Sequence, residues 1–158
     1  MTNVEIANLI VSIIAVIVAI VALIKSSSAT ADSLRLSHGM SELELKQMIA
    51  SSKNRVEDIS IQMVPFASKK PKTREDERIL EGYGLALKAA MEGNVNAYEE
   101  ACAKYLDEKI DRERFRKTYN VEIRRLVQDP AHHEFFDGVR SPYKAILKVY
   151  NEWENLEK

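Results

Sequence analysis

The sequence predicts an all-α protein with an N-terminal transmembrane helix, a stalk helix of coiled-coil character and a small bundle of about four helices. Three observations support this fold class. An uncharged apolar run lies near the start, apolar residues recur every three to four positions afterwards, and 5 Gly and 4 Pro are too few for a turn-rich β fold. We divide the chain into an anchor and joint (residues 1–31), a stalk and basic linker (residues 32–72) and a helical domain (residues 73–158).

The run from Ile6 to Ile24 predicts a membrane span. It carries no charged residue, and at about 1.5 Å per residue it covers about 28 Å, close to the hydrocarbon thickness of a bilayer. A small-x-small motif at residues 29–31 is typical of a signal-peptide cleavage site, but residues 1–5 lack the basic side chains of such a signal. We therefore expect a retained anchor in the lipid bilayer.

Charges that flank the span predict its orientation. Lys25 and Arg35 both follow it, and basic residues are retained on the cytoplasmic side of a membrane. The single cysteine, Cys102, cannot form an intramolecular disulfide, which fits a reducing compartment. These features predict a single-pass protein of a cell inner membrane with its C-terminal domain in the cytoplasm.

Small and polar residues within the span recur at spacings of three and four, which places them on one side of a helix. This stripe consists of Asn8, Ser12, Ala15, Ala19 and Ala22. Such a side lets two helices approach closely, so it predicts a homo-oligomer. The alternative is that alanine and serine are simply common in membrane helices.

The stalk helix is predicted to begin at Ser41, which forms a capping box with Glu44, and to end at Pro65. Its apolar seam follows heptad spacing and consists of Leu45, Ile49, Ser52, Val56, Ile59 and Met63. The seam fits a parallel coiled coil between chains or packing on the protein's own helical domain. The basic linker that follows, residues 66–74, either contacts anionic head groups or is a solvated loop.

Four helices are predicted in the last domain. The first spans about residues 74–92 and ends at Gly93, and Asn94 caps the second, so the two form an antiparallel hairpin. Asp111 caps the third, which ends before Asp129-Pro130. Ser141 and Pro142 open the last helix, and aromatic residues dominate the predicted core.

Few residues have the spacing of a reactive site. His132, His133 and Glu134 are adjacent, so their side chains point apart, and they are expected in an exposed loop without a metal. Cys102 lies on an apolar face and is expected in the core. The formal net charge of −1 gives no reason to expect DNA as a partner. We expect no cofactor.

Arg125 and His132 are separated by six residues. This spacing resembles the arginine-to-histidine motif of the HEPN family of helical ribonucleases, in which those side chains act on RNA phosphate. Here Asp129-Pro130 falls between them and breaks the helix. The resemblance implies a catalytic pair, and chance spacing is the alternative.

The layout of an uncharged anchor followed by NAYEEACAKYLDEKID and a closing YNEWEN resembles uncharacterised single-pass membrane proteins of bacteria and their prophages. It implies a bacterial inner membrane and no mechanism. The function that we expect is therefore a membrane-anchored, non-enzymatic interaction module that presents its bundle to a cytoplasmic protein. The alternatives are a HEPN-like ribonuclease and a phage-type lysis or superinfection-exclusion factor that acts on the membrane.

Overall fold

The computed structural model describes residues 3–137 and 141–156, with side chains from Ala15 onward, and confirms the all-α fold. The helices are α1 (Asn3–Ser68), α2 (Arg74–Leu106), α3 (Arg112–Gln128), a 3-10 turn (Pro130–His132), α4 (His133–Phe136) and α5 (Lys144–Leu156). The described residues contain no strand. They form two compact units, Met1–Met40 and Ser41–Lys158.

The first unit consists of the N-terminal part of α1. Its apolar segment has a mean hydropathy of 1.6 over 18 residues, and none of that stretch is buried. Within the described residues, α1 is the one helix long and apolar enough to cross a membrane, a property that signal sequences share. Beyond the apolar segment, the hydroxyls of Ser27 and Thr30 donate to carbonyls of the preceding turn, so they are satisfied within the helix.

The predicted break before the stalk helix and its predicted end are wrong, because α1 continues through both places. Gly39 and Ser41 lie inside the helix, and Ser41 therefore does not cap it. An isolated glycine costs a helix only about 1 kcal/mol relative to alanine. Pro65 also lies inside α1, within its last turn; it has no amide to donate to the carbonyl four residues before it, and the helix ends soon after, at Ser68.

The predicted hairpin at Gly93-Asn94 is also wrong. α2 runs without interruption from Arg74 to Leu106. Val95 and Tyr98 after the expected break are buried in the core, and Met91 before it packs against the same core, which favours one continuous helix. Asn94 does not act as a cap, because its side-chain oxygen accepts a hydrogen bond from Ser52 of α1 at 3.0 Å.

The antiparallel partner of α2 is the second part of α1, residues 41–68. Glu44 forms an ion pair with Lys104 near one end, and at the other end the rings of Phe66 and Tyr83 lie 5.8 Å apart. From one contact to the next, the residue number rises along α1 and falls along α2 by about the same amount. The hydrogen bond from Ser52 to Asn94 lies between the two ends. Residues 41–68 and α2 therefore form a long helical hairpin.

The core lies where α3 and α5 pack against the second half of α2. Its fully buried large side chains come from all four long helices, namely Leu45, Val95, Tyr98, Cys102, Ile123, Ile146, Val149 and Trp153. Each large apolar side chain of this kind stabilises the fold by about 1.5–3 kcal/mol. The bundle therefore contains residues 41–68 of α1 in place of the separate helix that was predicted to begin at Asn94.

Polar groups fix the ends of the helices in this core. As predicted, the Asp111 carboxylate accepts from the Arg114 amide at the start of α3. α5 is capped from a distance, because the two carboxylate oxygens of Glu99 accept from the amides of Ala145 and Ile146, both at 2.9 Å. Ser141 accepts from the Tyr143 amide, and α5 begins two residues after the expected proline. Glu99 thereby joins α2 to α5.

We expect Glu99→Gln to lower the free energy of unfolding by about 1–2 kcal/mol, because one charge-assisted bond at the α5 N-terminus is lost. Urea unfolding of the full chain in detergent, followed by fluorescence of the single tryptophan, Trp153, measures this change. Glu81→Gln on the exposed surface of α2 is the matched control. Equal stability of the two variants would contradict the proposed cap.

A second prediction concerns pH. The buried Asp76 belongs to the capping box of α2. A hydrogen bond from Lys69, which has the largest effect, and hydrogen bonds from Thr73 lower its pKa to about 2. Because the folded-state pKa lies below the ordinary value of 3.8, this carboxylate stabilises the fold above about pH 4, and the contribution is lost as pH falls toward 2. Carboxyl carbon chemical shifts should give this low pKa, and Lys69→Met and Thr73→Ala should each raise it. An ordinary pKa in the unaltered chain would refute the prediction.

Candidate functional site

A cleft of about 230 Å³ lies in the second unit, where α1, α2 and α3 meet the 3-10 turn. The residues that line it are Lys53, Asn94, Tyr98, Glu122, Arg125, Leu126, Asp129 and His132. Most of these side chains are polar or charged, although Leu126 and the ring of Tyr98 belong to the adjoining core. The cleft is therefore the place where reactive side chains from separate helices meet.

Glu122 organises one wall of the cleft. Its carboxylate lies 2.8 Å from the Lys53 ammonium and accepts a short hydrogen bond from the Tyr98 hydroxyl. Burial favours the neutral acid, but the bonds from Lys53 and Tyr98 outweigh it and lower the pKa of Glu122. Burial and the bond to Glu122 raise the pKa of Tyr98, so this phenol stays protonated and remains a donor.

Arg125 and His132 line the same cleft, although the helix breaks between them. α3 ends when the Asp129 amide donates to the Arg125 carbonyl, and the Asp129 side chain then caps the 3-10 turn by accepting from Ala131. His132, at the end of this turn, lines the same cleft as Arg125. The break at Asp129-Pro130 thus positions the pair, rather than separating it as the sequence suggested.

The expectation of an exposed loop at residues 132–134 is wrong for its first member. His132 ends the 3-10 turn with a side chain only 16% exposed, while His133 and Glu134 are exposed in α4. The buried Nδ1 atom of His132 makes no hydrogen bond within the described residues and lies 4.0 Å from the Asp129 carboxylate. No group of three potential metal ligands occurs in the part of the chain searched.

The arrangement has the chemistry to hold a phosphoryl group. An exposed guanidinium presents paired donors that match phosphate oxygens, and Arg125 supplies it. The imidazole of His132 lies in the same wall and can accept a hydrogen bond or a proton from a bound group. The two acidic residues already have other roles, since Glu122 accepts from Lys53 and Tyr98 and Asp129 caps a turn.

Residues of the stalk seam lie along the hairpin. Leu45 and Ile49 are buried in the bundle core, and Val56, Ile59 and Met63 are half-buried on the part of α1 that runs beside α2. Packing on the protein's own helical domain, the second of the two alternatives, accounts for the burial of Leu45 and Ile49.

Residues of the membrane stripe lie in the first unit. Ala15, Ala19 and Ala22 are exposed on α1, whereas Asn8 and Ser12 lie outside the described side chains. The pairing of spans through this stripe remains a prediction.

Half of the cleft was missed by sequence reasoning. Glu122 could have been found, because it lies three residues before Arg125 and therefore on the same side of α3. Lys53 and Asn94 had no such signal, since their place in the cleft depends on the pairing of α1 with α2. For Tyr98 the sequence predicted no more than an aromatic core.

Comparison of the chain with protein-family models, with curated proteins and with solved structures finds no match. Its function is therefore argued from its own residues.

Proposed function

We propose that this chain is a single-pass membrane protein of a bacterial inner membrane that presents its helical bundle to a protein partner in the cytoplasm. The observation that carries the proposal is the exposure of apolar side chains on every side of α1 near its N-terminus. Consecutive residues of a helix lie about 100° apart. Val16, Ile17 and Val18 are each more than half exposed, and so are Ile20 and Val21.

This distribution favours lipid over a soluble packing partner. A helix that packs on a protein core is apolar on one side and polar on the other, whereas a helix that is apolar all round requires an apolar medium. Isoleucine, valine and leucine at the centre of a span each favour insertion by about 0.3–0.6 kcal/mol. Hydrogen bonds within the helix satisfy its backbone in lipid.

Flanking charge supports the orientation, and the buried cysteine offers no reactive site. Lys25 and Arg35 follow the apolar segment, which favours a cytoplasmic location for what comes after them. Burial raises the pKa of the Cys102 thiol, so this residue is a core side chain rather than a nucleophile.

Apolar side chains are also exposed outside the apolar segment, and they support an interaction role. Ile61 and Val64 are each about three-fifths exposed, and their spacing of three places them on one side of α1. Leu85 of α2 and Val121 of α3 are exposed to a similar extent. The small-residue stripe of the anchor favours pairing of spans, which would raise the local concentration of bundles.

Alkaline carbonate extraction of membranes tests the anchor. We expect the native chain to remain in the membrane pellet until detergent is added, and the double substitution Val18→Lys and Val21→Lys to release it, because two buried cations oppose insertion. Val121→Lys on α3 is the control and should leave the chain in the pellet. Protease should cleave the bundle in inverted vesicles and spare it in intact spheroplasts.

The same preparation separates the proposal from its alternatives. Release of the native chain by carbonate, or cleavage in spheroplasts, would contradict the anchor or its orientation. Exchange of residues 6–24 for an unrelated apolar span should preserve cross-links between the bundle and its partner. Loss of those cross-links together with the cellular phenotype would favour a factor that acts on the membrane itself.

A second function is favoured by the cleft. Arg125 and His132 line it together, which makes action on RNA phosphate a candidate activity of the bundle. In this role Arg125 binds the phosphoryl oxygens, and His132 takes the proton of the ribose 2′-hydroxyl, which attacks the adjacent phosphorus to form a 2′,3′-cyclic phosphate. The bond from phosphorus to the 5′-oxygen breaks, and that leaving oxygen takes a proton from water.

We expect Arg125→Gln and His132→Gln each to lower RNA cleavage by the full chain at least about 100-fold, because each removes a group that acts in the transition state. Arg78→Gln and His133→Gln, at exposed positions outside the cleft, are the matched controls. Cleavage of a labelled single-stranded RNA measures the effect, and circular dichroism checks the fold. Unchanged cleavage in both cleft variants would rule out this function.

A further inference from the structure

We propose that Lys53 of α1 is a phosphate-contacting residue of the cleft, so that binding of a phosphoryl anion and docking of residues 41–68 on the bundle strengthen one another. This inference rests on the second candidate function in one respect, namely that the cleft binds phosphate. It adds a second cationic residue, beside Arg125, and a form of regulation.

Lys53 reaches the cleft from a different helix than the other basic residues. Arg125 belongs to α3 and His132 to the turn that follows it, whereas Lys53 belongs to α1. The described cleft therefore depends on the docking of residues 41–68 for one of its cationic groups. An anion that touches both α1 and α3 would hold the two helices together.

Lys53 is positioned but still accessible. Glu122 holds its ammonium at 2.8 Å, and the nitrogen lies 5.8 Å from the centre of the Tyr98 ring. The side chain remains 43% exposed. An ammonium has three donors on a flexible stem, so Lys53 can keep its bond to Glu122 and donate to an anion as well.

The contacts that dock residues 41–68 nearest the cleft are of two kinds, apolar and polar. Leu45 and Ile49 enter the core, and Ser52, beside Lys53, donates to Asn94 in the cleft wall. Glu42 accepts from the Asp111 amide at 3.2 Å and from Arg114 at 2.8 Å. Apart from the two core side chains, these contacts are polar and partly exposed, and such contacts each stabilise a protein only modestly.

Coupling between the two events is reciprocal by thermodynamic necessity. If docking raises the affinity of the cleft for an anion, then the anion stabilises docking by the same factor. Because α1 also contains the proposed membrane span, the helix that anchors the chain is the helix that completes the cleft. Release of residues 41–68 would therefore weaken anion binding.

Binding of two probes to the full chain in lipid nanodiscs tests the inference. The probes are a 2′-O-methyl RNA oligonucleotide, which resists cleavage, and inorganic tripolyphosphate. We expect Lys53→Met to weaken RNA binding about fivefold, as for one exposed ionic contact. Lys46→Met, an exposed lysine of α1 outside the cleft, should leave binding unchanged.

Glu122 makes the test specific for direct contact. Glu122→Gln frees the Lys53 ammonium and removes a negative charge, so it should strengthen binding. In the Lys53→Met background the gain should be smaller, because only the charge effect remains. A purely structural role of Lys53 predicts the same gain in both backgrounds, and that result would overturn the inference.

Hydrogen exchange supplies a measurement that needs no variant. RNA should slow amide exchange across residues 45–56 of the native chain, because it stabilises docking. If RNA binds without this protection, and Lys53→Met and Lys46→Met bind it with equal affinity, the coupling is overturned and the proposed cleft activity stays intact. No binding of either probe would overturn both. If the chain binds tripolyphosphate as tightly as it binds the RNA, the inference is supported and the ligand is a free polyphosphate.

Discussion

One side of the core and the cleft of the second unit depend on the antiparallel pairing of residues 41–68 of α1 with α2. This pairing buries Leu45 and Ile49 in the core that α3 and α5 share with α2. A pair of helices cannot by itself shield its apolar side chains from water. The hairpin is stable because α3 and α5 cover part of it. The end of the hairpin formed by α1 after Val56 and by α2 before Leu87 lacks that cover. In contrast, α2 is well buried from Ala90 onward.

The same pairing creates the cleft, so structure and chemistry have one origin. Lys53 and Asn94 face Glu122, Arg125 and His132 only while α1 lies beside α2. The hydrogen bonds around Glu122 then connect three helices, because Lys53 comes from α1, Tyr98 from α2 and the carboxylate from α3. A site assembled from several helices senses any change in their packing, and this dependence distinguishes the cleft from a motif confined to one helix.

Local signals predicted the elements that are determined locally. The cap at Asp111 and the end of α3 before Asp129-Pro130 follow from side chains within three residues of the helix ends. The helix ends predicted near Gly39, Pro65 and Gly93 were wrong, because a glycine or proline permits a helix to end but does not require it. At Gly93 the helix continues because Met91 before it and Val95 after it pack against one core.

The cleft shows where sequence reasoning stops. Arg125 and His132 could be paired from their spacing, but their proximity depends on the 3-10 turn that Asp129 caps. The proline that breaks the helix also fixes the backbone at the first position of that turn, so one residue both ends α3 and redirects the chain. Lys53 is 72 positions away from Arg125 in the sequence. No local pattern connects residues at that separation, and only the packing of α1 on the bundle brings them together.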